Sequence, residues 1–133
     1  MVMRNVLVAL RDADDLEEVS SYLNKIKAGE VRRLWVAYLK LSQDCSDKLG
    51  VKFDQLSITR DRCAKSLKGF DFELVEINYS GDRLPASAYS DEAVKRRCDT
   101  ILVVGEQRKP YFSANLASSL AVESPIAVNV IKS

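Results

Sequence analysis

The sequence has 133 residues and no histidine. That single absence removes the imidazole general base, the Ser-His-Asp and Cys-His pairs, and the commonest metal ligand. Cysteine is scarce as well. Cys45, Cys63 and Cys98 stand far apart with no CxxC, so neither a zinc site nor a redox dithiol is indicated. An odd number of widely spaced cysteines suits a reducing compartment, with free thiols that are buried or half-buried. An excess of charge of either sign is also lacking. Lys+Arg number 20 and Asp+Glu 19, for a formal net charge of +1. General nucleic-acid binding rests on a basic footprint, so no nucleic-acid partner is expected. No apolar run approaches the ~20 residues that span a bilayer, so no membrane partner is expected either. The apolar stretch Val6–Leu10 is short and runs into Arg11-Asp12, unlike a signal peptide. The expectation is a cytoplasmic protein with one domain over residues 1–133, large enough to hold a core without staples.

What is present is an alternation of buried strands and amphipathic helices. Val6–Leu10 is a continuous apolar run of the kind that marks a strand buried on both faces. Asp12–Asp15 supplies a turn and caps, with Asp14 and Glu17 as a capping box. Leu16, Val19, Leu23 and Ile26 follow at helical spacing, and Gly29 closes the helix. Val31–Leu41 reads as the second strand, with Trp35 in the core. Ser42–Val51 reads as a loop or broken helix. Phe53, Leu56, Cys63, Ala64 and Leu67 trace one face of a helix ending at Gly69. Phe70–Asn78 alternates apolar and polar residues and reads as a strand nearer the sheet edge. Ala86 to Cys98 reads as helix, Thr100–Val104 as strand, Ser113–Glu123 as helix and Ile126–Ile131 as the last strand. The order β-α-β-α-β-α-β-α-β implies a three-layer α/β/α fold on an open parallel five-stranded sheet.

Ligands of such sheets bind beyond the carboxyl ends of the strands, where the strand order reverses. The loops at those ends are Arg11–Asp15, Leu41–Asp44 and Gly105–Phe112. No P-loop, GxGxxG or G-x-S-x-G is present. Asp12, Asp14 and Asp15 invite comparison with a phospho-receiver domain. That fold wants its aspartate after a central strand, and strand three here ends Ile77-Asn78-Tyr79, so turn and cap roles suit these aspartates better.

Several stretches resemble the universal stress protein family. Asp99-Thr-Ile-Leu-Val-Val-Gly105, a basic loop, a helix opened by Ser113, and Ser124-Pro-Ile-Ala-Val-Asn-Val are similar to its C-terminal half. Arg4-Asn-Val-Leu-Val-Ala-Leu10 with an acidic turn is similar to its first strand, and Gly81 with Pro85-Ala86 matches its layout. The resemblance implies strand order 3-2-1-4-5, dimers joined through the last strand and, in one branch, ATP at the switch point between strands one and four. That branch carries G-x-x-G-x9-G-[ST], whose glycines let backbone N–H groups close on phosphates at a helix N-terminus. This sequence departs from it. Gly105 matches the first glycine, the second falls on Arg108 and, in the register that keeps the last helix whole, the third falls on Phe112 with Ser113 as the hydroxyl. Keeping the spacer instead places Ser118 and Ser119 there and leaves too few residues for the helix. The aspartate usual after strand one falls on Arg11, with Asp12 beside it.

The candidate anion or nucleotide cleft is therefore Ala9, Leu10, Arg11, Asp12, Gly105, Arg108 and Ser113, to which Lys109 adds a third cation. Bulky Arg108 and Phe112 fill space that phosphates would use. The expectation is a non-catalytic dimeric stress-response or regulatory module without a cofactor, with an unknown protein partner left open. The alternative is an ATP- or AMP-binding member, in which Tyr111-Phe112 could stack a base. A further enzyme on the same fold has no catalytic constellation behind it, since fold does not fix function. Arg60, Arg62, Lys65 and Lys68, and again Lys95-Arg96-Arg97, read as solvated outer faces, balanced by acidic residues elsewhere. Ile126–Ile131 is apolar and would form a sheet edge, a liability that pairing with a second copy would cover.

Overall fold

The computed structural model describes residues 3–11, 13–25, 31–43, 58–105 and 116–131. Strand and helix alternate along the chain: β1 (Asn5–Leu10), α1 (Asp14–Lys25), β2 (Arg33–Leu41), α2 (Arg60–Ser66), β3 (Phe72–Tyr79), α3 (Pro85–Lys95), β4 (Thr100–Val104), α4 (Leu116–Glu123) and β5 (Ala127–Ile131). All strands pair in parallel, in the order β3-β2-β1-β4-β5. This is the architecture expected from the sequence.

The continuous apolar runs have a direct cause. β1 lies at the centre, between β2 and β4, and is covered on both faces. Val6, Val8 and Leu10 face a cluster with Leu16, Val19 and Leu23 of α1 and with Cys63 and Leu67. Leu7 and Ala9 face the opposite cluster, with Ala88, Tyr89 and Ala93 of α3 and Leu116 and Leu120 of α4. Each fully buried aliphatic side chain contributes roughly 1.5–3 kcal/mol.

The local signals act where the side chains are described. Thr59 caps α2, its hydroxyl accepting from the Arg62 N–H. Pro85 stands at the first position of α3, after an extended Leu84. The end of α3 is set by Arg97, which adopts a left-handed φ of 57° while the Cys98 N–H donates to the Ala93 carbonyl. Asp99 then ties the starts of β1 and β4 together. Its carboxylate accepts from the N–H groups of Arg4 (3.0 Å) and Asn5 (2.9 Å).

Some expectations shift. Ala64, placed by its spacing on the buried face of α2, is exposed, since only Cys63 and Leu67 of that stretch turn inward. Ala121 of α4 is exposed too. Trp35 is half-buried against the core, with Arg33 and Arg96 stacked on its ring at 4.8 and 4.7 Å. Cys63 and Cys98 are free and buried. Ile26, Gly29, Cys45, Phe53 and Leu56 lie outside the described residues, as does the Asp14 side chain of the expected capping box. No described helix is long and apolar enough to cross a membrane.

Candidate functional site

The switch point falls between β1 and β4, where the neighbouring crossovers leave to opposite faces of the sheet. Ala9 pairs with Val103, so the carboxyl ends of β1 and β4 stand side by side and place Arg11 and Gly105 at the same level. Four of the candidate residues, Ala9, Leu10, Arg11 and Gly105, are thus brought together. Asp12, Arg108 and Ser113 lie outside the described residues, with Lys109, Tyr111 and Phe112.

The cation at this crevice is engaged within the fold. Arg11 is only 9% exposed and Asp15 3%. The Arg11 guanidinium donates to Asp15 twice, Nε to Oδ2 at 3.0 Å and Nη2 to Oδ1 at 2.9 Å, and the Arg11 backbone N–H adds a third bond at 2.9 Å. The fork geometry of a guanidinium on a carboxylate makes this a strong, orienting pair. The aspartate read as a turn or cap residue is therefore the counter-ion of Arg11. The signal in the sequence was only a pair of opposite charges four residues apart, joined across the turn from β1 into α1 and not along a helix.

Tyr89 of α3 is a further residue of the site, one that no motif or spacing in the sequence points to. It is 1% exposed, and its hydroxyl donates to the Leu10 carbonyl at 2.5 Å. Burial pushes its ionisation well above the ordinary phenol value and the Asp15 carboxylate adds to this, while a backbone hydrogen bond from Leu39 and the charge of Arg11 pull the other way. Tyr89 and Asp15 thus hold the same buried peptide, one through the Leu10 carbonyl and the other through the Arg11 N–H. An isolated tyrosine in a helical stretch carries no periodic signature of such a role.

Gly105 has a packing reason of its own. Its N–H donates to the Ile131 carbonyl at 2.8 Å. A Cβ placed on it would stand 2.5 Å from Cγ1 of Val130. The missing side chain makes room for β5, where the motif reading had it making room for a phosphate.

Among the described residues, two cavities lie away from this crevice. One, of about 210 Å3, sits at the ends of β2 and β3 and is lined by Lys40, Leu41, Ser42, Asn78, Tyr79 and Ser80. The other, of about 500 Å3, is a groove beside α3 that reaches Glu123 and Pro125. Among the described residues no three carboxylate or thiol side chains converge as a metal site would need. Tyr38 within β2 donates to Glu76 of β3 at 3.0 Å. Burial, then the Glu76 hydrogen bond and charge, push that phenol up to about 12.

Comparison with solved structures places this geometry. A universal stress protein in complex with cAMP matches with a TM-score of 0.68 at 16% identity, over 98% of each chain. The universal stress protein from Archaeoglobus fulgidus matches with a TM-score of 0.60 at 16% identity, over 99% of this chain and all of that one. The fold is that of the universal stress proteins. No family model matches the sequence, and no curated protein matches it at the significance required. The universal-stress fold explains why the candidate residues gather at the ends of β1 and β4, and the side chains placed there are this chain's own.

Proposed function

We propose that this chain is a non-catalytic, dimeric regulatory module built on the universal-stress fold, with a switch point that does not cradle a triphosphate. The observation that carries the reading is the buried Arg11–Asp15 pair. It cancels a positive charge that an anionic ligand would otherwise recruit. A second support is that Gly105 serves β5, and a third is that Arg108 and Phe112 stand where the ATP motif has glycines. The absence of histidine fits binding better than catalysis. A cytoplasmic location belongs to the same reading.

Dimerisation is supported by the edge strand. Val130 of β5 is 39% exposed and Ala127 is exposed, with Val122 of α4 83% exposed nearby. Apolar edges of this kind are covered by a symmetric mate in the simplest case. Sedimentation equilibrium is expected to give a dimer at micromolar concentration, and a Val130→Lys variant a monomer.

The second reading is nucleotide binding at the same crevice, and the cAMP held by one structural neighbour is the observation in its favour. Thermal-shift titration with ATP, AMP and cAMP, together with ultraviolet absorbance of an acid extract of the purified protein, separates the two. A ligand at about 100 times its Kd adds about 2.7 kcal/mol of stability. Our reading expects no shift and no adenine. Stoichiometric adenine in the extract would replace it with the second.

A further inference from the structure

The end of the molecule opposite the switch point carries a segregated positive charge. In a parallel sheet all strands start at one end, and the crossover helices bring their C-termini back to it. Arg4 and Arg32 lie at the starts of β1 and β2, next to each other, since the Arg32 N–H donates to the Arg4 carbonyl at 2.8 Å. Arg97 stands in the turn before β4, and Lys68 in the turn before β3. All four side chains are exposed.

Most acidic groups at this end are already engaged, and Glu123, the last residue of α4, is the exposed exception among the described residues. Asp71 and Glu73 lie 3.9 and 3.3 Å from Arg33, and Glu92 lies 3.5 Å from Arg96. Asp99 is spent on the backbone N–H groups of Arg4 and Asn5. Among the described residues, no carboxylate lies within 4 Å of the side-chain cation of Arg4, Arg32, Lys68 or Arg97. Attraction of cations to helix C-termini accounts for Lys25 and Lys95, in the last turns of α1 and α3. It does not account for two arginines on strand starts. A chain with a net charge of only +1 has thus gathered unpaired cations on one end.

We infer that this end is a docking surface for an acidic, extended protein segment, a run of Asp and Glu side chains. The chemistry favours carboxylates over nucleobases. Stacking platforms are what single-stranded nucleic acid requires. Trp35, the sole tryptophan, is engaged by two guanidiniums, and Phe70 and Phe72 pack against the core. The exposed Val94, next to Lys95, gives an acidic segment an apolar foothold beside the charges.

Trp35 is also the built-in reporter, because Arg33 and Arg96 on its ring belong to the same end of the fold. The full chain is titrated with a decaglutamate peptide and followed by tryptophan emission. The same is done with a DNA duplex and with phosphatidylserine vesicles. Saturable binding of decaglutamate is expected, tighter than that of DNA or vesicles, and weakened about tenfold or more when salt is raised from low to physiological strength. Arg97→Gly should weaken binding severalfold while raising the thermal midpoint, because glycine adopts that left-handed φ freely. Arg4→Ser with Arg32→Ser should weaken it about tenfold or more. Absence of decaglutamate binding, tighter binding of DNA or vesicles, or variants that bind as the parent does would each overturn the inference.

Discussion

The space that a Cβ on Gly105 would need is held by Cγ1 of Val130, 2.5 Å away. Valine is stiff about χ1, so the methyl cannot swing aside without cost. Gly105→Ala should therefore destabilise the fold by about 1–3 kcal/mol. In a double-mutant cycle read by urea denaturation, Val130→Ala should relieve most of that loss. Strict additivity of the two changes would show that Gly105 is glycine for some other reason.

The Arg11–Asp15 pair makes an asymmetric prediction. Asp15→Ala or Arg11→Ala leaves a buried charge without its partner and should cost about 3–5 kcal/mol. Replacing both by apolar residues of similar volume, Arg11→Met with Asp15→Leu, should restore much of the stability. Chemical denaturation midpoints of the three proteins check it. Two single variants within 1 kcal/mol of the parent would remove the pair's importance.

Tyr89→Phe deletes one hydroxyl and leaves the Leu10 carbonyl without its 2.5 Å donor inside the core. A loss of about 1–3 kcal/mol is expected, with no change in secondary structure by circular dichroism. Amide exchange should quicken at the ends of β1 and β2, the strands this side chain joins.

Alkaline pH should weaken the fold in a defined window. The Cys98 thiol is pushed from 9.0 to about 11, mainly by burial and then by the Asp99 charge, with Arg96 opposing. Tyr38 is pushed from 10.0 to about 12. Both folded values lie above the unfolded ones, so the unfolded chain releases these protons first. Stability is fully present below about pH 9 and falls as pH rises through 9 to 11 for Cys98 and through 10 to 12 for Tyr38. Urea midpoints measured from pH 8 to 11 should decline, and Cys98→Ala should flatten the first part of the slope. The same burial should keep Cys63 and Cys98 unreactive toward a disulfide reagent at pH 8 in a Cys45→Ser background.

Most of the fold was legible because its elements are apolar in distinctive ways. Thr100–Val104 falls on its strand residue for residue, since every position is buried and Gly105 stops it. Leu16, Val19 and Leu23 mark α1 because a single helix face meets β1. Pattern is weaker where burial is not the cause of the sequence. Ala64 and Ala121 satisfy a helical spacing, yet alanine is at home on either face. Trp35 packs against the core as its strand position suggests, and its ring also carries two arginines distant in sequence, Arg33 of β2 and Arg96 at the end of α3. At the site, motif spacing located Arg11 and Gly105 correctly. It could not say that the first is neutralised by Asp15, which depends on how the turn from β1 into α1 folds back, or that the second is packed under Val130, which depends on β5 becoming the neighbour of β4.

The double contact of Asp99 with the first residues of β1 has a consequence for how the chain is made. These bonds join positions 95 and 94 residues apart. β1 leaves the ribosome before the other strands of this sheet, yet it is the central one, and its β4 side has no partner until Thr100–Val104 has been synthesised. For most of translation that open strand edge is a site where another nascent chain could pair. Synthesis speed over the middle of the chain, and any chaperone that shelters β1 meanwhile, should therefore influence the yield of native protein.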